Sequence, residues 1–135
     1  MKTEQICYDC GMKKTVTGFI LACSLLLSGC SSSVQDTLQQ KIVESLHKCV
    51  EQADPLSSNP FDYMKGIPYR TVLMMGQDAV DVLLKCHEDG TFHGVMDYIA
   101  MYLVWDINDE TDNPLFQECE TAQQMYDAWM QYMQK

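Results

Sequence analysis

Apolar residues recur along most of this chain at the spacing of a helix. Between Val34 and Ala53, the residues Val34, Leu38, Ile42, Leu46, Cys49 and Ala53 fall on one stripe of a helical wheel, with Gln39, Gln40, Lys41, Glu44 and Lys48 on the other side. The stretch Asp54 to Pro68 breaks that period, because Pro55, Pro60, Gly66 and Pro68 do not fit inside one regular element. Phe61, Tyr63 and Met64 punctuate it and are expected to pack down on the core. Pro68 suits the first turn of a helix and Gly76 the position just past its end, with Tyr69, Val72 and Leu73 as the stripe between them. Asp78 opens a further helix to Glu88, with Ala79, Val82, Leu83 and Cys86 on one face, and Asp89-Gly90 closes it.

The segment Phe92 to Ile107 is apolar on two faces. Phe92, Met96, Ile99, Leu103 and Ile107 make one stripe, and Tyr98, Met101 and Trp105 lie opposite. A helix of that kind is normally sandwiched between neighbours, so it is predicted to be the central one. An acidic loop, Asp106 to Pro114, leads to a last helix predicted over Pro114 to Met133, with Leu115, Cys119, Ala122, Tyr126, Trp129, Met130 and Met133 in one arc. No segment alternates strictly with a period of two, and no Asn-Gly hairpin turn occurs. The pattern predicts an all-α fold, a small bundle of about five helices forming a single domain over residues 34–135.

Composition narrows the picture. The 135 residues, 47% hydrophobic and 21% charged, are those of a globular chain and suffice for one domain. The net charge is -10, and from Cys30 onward six Lys/Arg face seventeen Asp/Glu. A surface so acidic repels phosphate backbones, which argues against nucleic acid as a partner. It argues equally against an electrostatic grip of the whole body on anionic lipid.

The stretch Met12 to Ser33, MKKTVTGFILACSLLLSGCSSS, has a different character. Lys13 and Lys14 precede a mostly apolar run, Thr15 to Gly29, that would be about 22 Å long as a helix. That is short against a hydrocarbon core of about 30 Å. It has the layout of a signal-peptide h-region. Leu27-Ser28-Gly29-Cys30 resembles the lipobox of bacterial lipoproteins. The resemblance implies that residues 12–29 are a signal peptide, removed in the mature protein. It also implies that the Cys30 thiol carries a diacylglyceryl group and that Cys30 becomes the new N-terminus. Residues 30–33 are then the lipidated cysteine and a serine tether, spanning at most about 14 Å. Residues 1–11 precede this segment and read as a cytoplasmic leader or a mis-assigned start, with Met12 as the expected start. Cys7-x-x-Cys10 within them is a lone pair with no partner motif.

A looser resemblance covers VLMMGQDAVDVLLKCHEDGTFHGVMDYIAMYLVWDI. A helix running into Gly-x-x-Ala-Val, a Leu-rich helix, a Gly-containing turn and a third helix are similar to HEAT-like helical-repeat proteins. Asn59 to Tyr63, Asn-Pro-Phe-Asp-Tyr, resembles a segment of uncharacterised Firmicutes lipoproteins. These likenesses imply scaffold-type protein binding and carry no catalytic residue over. No repeat with a period of 35–45 residues is visible in the chain.

Residues with chemistry of their own are few. Cys49, Cys86 and Cys119 each point to the apolar side of their helix and are expected in the core, with one disulfide as the alternative. His47, His87 and His93 lie near them in sequence, and with eight methionines after Cys30 they offer a soft donor set for Cu(I) or zinc. His47, Cys49, Cys86, His87, His93 and Cys119 are therefore the weak metal candidates, although no closed CxxC or HxxxH pair is formed among them. Asp106-x-Asn108-x-Glu110-x-Asp112 alternates oxygen donors like the start of a calcium loop. It has Thr111 where such a loop needs glycine and Gln117 where it needs glutamate. Cys86 and His87 are adjacent and diverge by about 100° on a helix, so they form no dyad with each other. No nucleophile elbow or phosphate loop occurs, and no catalytic residue or cofactor is expected.

The reading from sequence is thus a lipid-anchored extracytoplasmic lipoprotein on the cell membrane or outer membrane, a non-catalytic protein-binding or structural module. Its candidate interaction surface is Tyr98, Met101 and Trp105, provided neighbouring helices leave that face open. The alternatives are a soft-metal (Cu/Zn) binding lipoprotein and a small envelope hydrolase.

Overall fold

The computed structural model describes residues 34–135. The signal-like segment, Leu27, Ser28, Gly29 and Cys30 of the lipobox, and Cys7 and Cys10 lie outside the described residues. The chain divides after Thr37, and the helical body is the unit Leu38–Lys135. Every regular element among the described residues is helical, in agreement with the all-α bundle expected from the pattern.

Helix α1 is described over residues 34–52. Its stripe buries Ile42, Leu46 and Cys49, whereas Val34 stays 70% exposed. The proline-rich stretch that follows is irregular except for a 3-10 turn at Pro60–Asp62. The Asn59 side chain accepts from the Phe61 N–H at 3.2 Å, and the Tyr63 hydroxyl donates to the Ser57 carbonyl at 3.0 Å, so side chains satisfy a backbone that has no ladder. Tyr63 and Met64 pack on the core as expected, but Phe61 keeps half its surface and meets Tyr102 edge-on at 5.8 Å.

Helices α2, Ile67–Met75, and α3, Gln77–Glu88, are separated by Gly76 alone. Gly76 has φ +63° and ψ -142°, a conformation closed to side-chain-bearing residues, and it ends one helix while starting the next. The predicted faces of both helices are inside: Tyr69 and Val72 from α2, and Ala79, Val82, Leu83 and Cys86 from α3.

Helix α4 is Val95–Ile107 and packs against α2, α3 and the 3-10 turn, and also against α6, Ala122–Tyr132. It is the central helix, as its two apolar faces predict. Ile99, Ala100, Met101, Leu103, Val104 and Trp105 are all buried, and a fully buried large side chain contributes about 1.5–3 kcal/mol. The helix begins later than Phe92. Gly94, with φ +59°, is its N-cap, and residues 89–94 form a turn in which the Thr91 N–H reaches the Cys86 carbonyl at 2.9 Å. Phe92 is nonetheless only 2% exposed and belongs to the core.

The single last helix expected over Pro114 to Met133 is two helices. Helix α5 is Pro114–Gln117, capped by Asn113, whose side chain accepts from the Leu115 N–H at 3.0 Å. Helix α6 starts afresh on a capping box. The Gln124 N–H donates to Thr121 Oγ1 at 3.2 Å, and Gln124 Oε1 accepts from the Thr121 N–H at 3.1 Å and the Glu120 N–H at 2.8 Å. The break resets the helical phase. Phe116 and Met125, off the predicted arc, are buried, while Met130 and Met133, on it, are 40% and 63% exposed.

Candidate functional site

The second face of α4 is covered, not open. Trp105 is 0% and Met101 1% exposed, so neither belongs to an interaction surface. The short helix α5 and helix α6 close over them. The Trp105 ring lies 5.3 Å from Phe116, 5.2 Å from Trp129 and 5.8 Å from Tyr132, and its indole N–H donates to the Met125 carbonyl at 3.1 Å. An aromatic cluster with its one polar atom satisfied is a packing device. Of the three predicted residues only Tyr98 reaches the surface. It lines an open groove of about 430 Å³ with Pro60, Gly94, Val95, Glu120, Thr121 and Ala122. Burial, with Cys119 nearby, pushes its phenol pKa up, so it stays a neutral hydrogen-bonding group.

One imidazole–carboxylate pair sits close by. His87 Nδ1 lies 2.8 Å from Asp97 Oδ1, joining the end of α3 to the start of α4, and both side chains are largely shielded. The His87 ring also stacks on Tyr126 of α6, with centroids 4.7 Å apart, and the Tyr126 hydroxyl donates to Glu88 on α3. The four side chains form a chain of contacts, Asp97–His87–Tyr126–Glu88, that links three helices. The sequence reading missed this junction. Its one signal is the short turn between α3 and α4, which brings residues ten apart together. Among the described residues no hydroxyl or thiol hydrogen-bonds the His87 ring, so the pair lacks the nucleophile that a hydrolytic triad requires.

The metal candidates are scattered. Among the described residues no three His, Cys, Asp or Glu side chains gather as a metal site. His47 and His93 are exposed, Cys49 and Cys86 are buried, and His87 is turned to Asp97. All three described cysteines are free thiols, two in the core as expected. Cys119 is half-buried and its thiol donates to the Leu115 carbonyl at 3.1 Å. Burial raises all three pKa values, to about 11 for Cys49, so none is a thiolate near neutrality.

Three of the four candidate donors in the acidic segment, Asp106, Asn108 and Glu110, spend side-chain oxygens on protein donors. Asp106, the last-turn residue of α4, accepts from the Tyr69 hydroxyl at 2.7 Å, and Asn108 from the Gln77 side chain at 2.6 Å. Glu110 accepts from the Tyr132 hydroxyl at 2.7 Å and the Asn113 amide at 3.0 Å. These acceptors face α2, α3 and α6 and do not converge on one point, as calcium would require. The Tyr69 phenol is raised by burial and by Asp106, which keeps it a donor.

No family model, no curated protein and no solved structure matches the chain. Among the described residues no helix is long and apolar enough to cross a membrane.

Proposed function

We propose that this chain is a lipid-anchored extracytoplasmic lipoprotein whose helical body is a non-catalytic protein-binding or structural module. The observation that carries the reading is the order of features in residues 12–33: a lysine pair, a short apolar run, Leu27-Ser28-Gly29-Cys30 and then three serines. A diacylglyceryl group at Cys30, joined by a further acyl chain, holds a protein stably, since each buried methylene adds about 0.8 kcal/mol. The likeness to HEAT-like helices supports a scaffold role for the body. The groove at Tyr98 is where the predicted contact face still reaches solvent. The test is to express the full chain in a host that processes lipoproteins and weigh the mature protein. The expected product begins at an acylated Cys30, and a Cys30→Ala variant leaves the membrane fraction. An unmodified N-terminus, or a variant that partitions like the wild type, overturns the reading.

A further inference from the structure

The three most exposed large hydrophobics among the described residues are Leu56, Met74 and Ile67, at 92%, 87% and 79%. Two of them share a face. Ile67 and Met74 are seven residues apart on α2, hence on one stripe, with Arg70 and Thr71, also exposed, between them. Leu56 flanks the same corner. A Cβ on Gly66 would lie 3.5 Å from Gln52 Oε1, so the chain entering α2 returns to the end of α1 from which the Leu56 loop departs. The opposite side of α2 is spent on the core, through Pro68, Tyr69 and Val72, and Tyr69 is tied inward to Asp106. The outer face therefore cannot roll inward.

Charge sets this face apart. Residues 63–77 contain no Asp or Glu, the longest such stretch after Cys30, and they contain Lys65 and Arg70. Of the two acids that bound the stretch, Asp62 pairs with Lys65 at 2.7 Å, and Asp78 lies in the first turn of α3. In a chain with seventeen acids against six bases from Cys30 onward, this is the segment an anionic surface repels least.

From this we infer that the outer face of α2, Ile67, Arg70 and Met74 with Lys65 at its edge, rests on the headgroup region of the bilayer that holds the anchor. The inference rests on the lipid-anchor reading. The occupant follows from the length of chain outside the described residues. Cys30 to Ser33 spans at most about 14 Å, so the body is confined close to the membrane and must turn some face to it. Apolar side chains interleaved with long cationic ones suit the interface, where the aliphatic stems sink and the charges reach phosphate. The whole-body charge still opposes a general grip on anionic lipid. What it does is bias the orientation, since the acids of the chain lie outside residues 63–77.

Methionine oxidation reads the orientation directly. The acylated full-length product is reconstituted in phosphatidylcholine/phosphatidylglycerol vesicles, treated with peroxide, and the oxidation of each methionine followed by mass spectrometry. Met133, 63% exposed, is the internal standard, and by exposure Met74 should oxidise at least as fast in free solution. The expected result is oxidation of Met74 at least fivefold slower than of Met133 on vesicles. Arg70→Glu, a change at an exposed position, is expected to bring the two rates together. Equal rates in the acylated wild type overturn the inference and leave the anchor reading standing, whereas a mature protein without acyl mass overturns both. Protection that fades when the protein is diluted within the same lipid means that a second copy covers α2, and that also overturns it.

Discussion

Glu110 shows how much one exposed-looking acid can do. It receives the Asn113 amide and the Tyr132 hydroxyl together, and these two bonds, Asn113 first, hold its carboxyl below the usual glutamate range. A carboxyl depressed in the folded state contributes stability that is present above its unfolded pKa. That stability is lost as pH falls through the folded value. Glu110→Gln keeps an acceptor but not the charge-assisted bonds. The variant is therefore expected to melt below the wild type at pH 7. The gap should close when the pH is taken from 7 to below the lowered value of the folded carboxyl, where both carry a neutral side chain. A gap that is the same at both pH values would show that the charge on Glu110 contributes nothing. This role was not legible in the sequence. Asp106 and Glu110 take phenols from residues 37 and 22 positions away, and a local pattern of alternating oxygens reads the same whether the donors are tyrosines or an ion. The cysteines were legible, because a thiol on an apolar stripe has one ordinary place to go.

At the scale of elements, the glycine and proline boundaries of α2 and α3 were readable, whereas the start of α4 at Gly94 and the boundary written in side-chain hydrogen bonds were passed over. Pro68, Gly76 and Asp89-Gly90 act through backbone geometry and mark the ends of α2 and α3 where expected. The apolar stripe through residues 114–133 hides its break, because Leu115, Cys119 and Ala122 continue a helical period across a turn that is not helical. The signal was Thr121-x-x-Gln124, a capping box inside an apparent helix. Thr121→Ala removes the acceptor for the Gln124 N–H and is expected to cost about 1 kcal/mol. For a domain of this size that lowers Tm by about 4–8 °C. Thr121→Ser should restore most of the loss. If the alanine variant melts within a degree of the wild type, residues 118–121 are not a true helix start. The covered face of α4 failed to read for another reason. A helix apolar all round gives one pattern for two situations, a core sandwiched by two layers or a core with a docking face. Only the placement of α5 and α6 over Trp105 decides between them.

At the scale of the molecule, the described residues combine an apolar, internally satisfied core with a strong excess of acids over bases. Among the described residues, twenty hydrophobic side chains are buried with no polar or charged residue among them, and no buried side-chain nitrogen or oxygen lacks a partner. Outside that core, the seventeen acids meet six bases, and the ion pairs among the described residues are Lys48–Glu44, Lys65–Asp62 and the His87–Asp97 contact. Two of these are solvent-exposed and worth little, so most of the negative charge is uncompensated and acts as self-repulsion in the compact state. Salt screens repulsion between exposed charges, shrinking the Debye length from about 30 Å at 0.01 M to about 3 Å at 1 M, while leaving the buried core untouched. It also screens the two exposed pairs, but these are far outnumbered by unpaired acids. The Tm is therefore expected to rise steadily with sodium chloride at pH 7 between those concentrations. The rise should shrink when the same titration is run near pH 4.4, the isoelectric point of the sequence, where the repulsion has been titrated away. A Tm that falls with salt at pH 7 would mean that attractive pairs outweigh the excess of acids. The preference of the acid-free α2 face for the membrane would then lose its electrostatic ground.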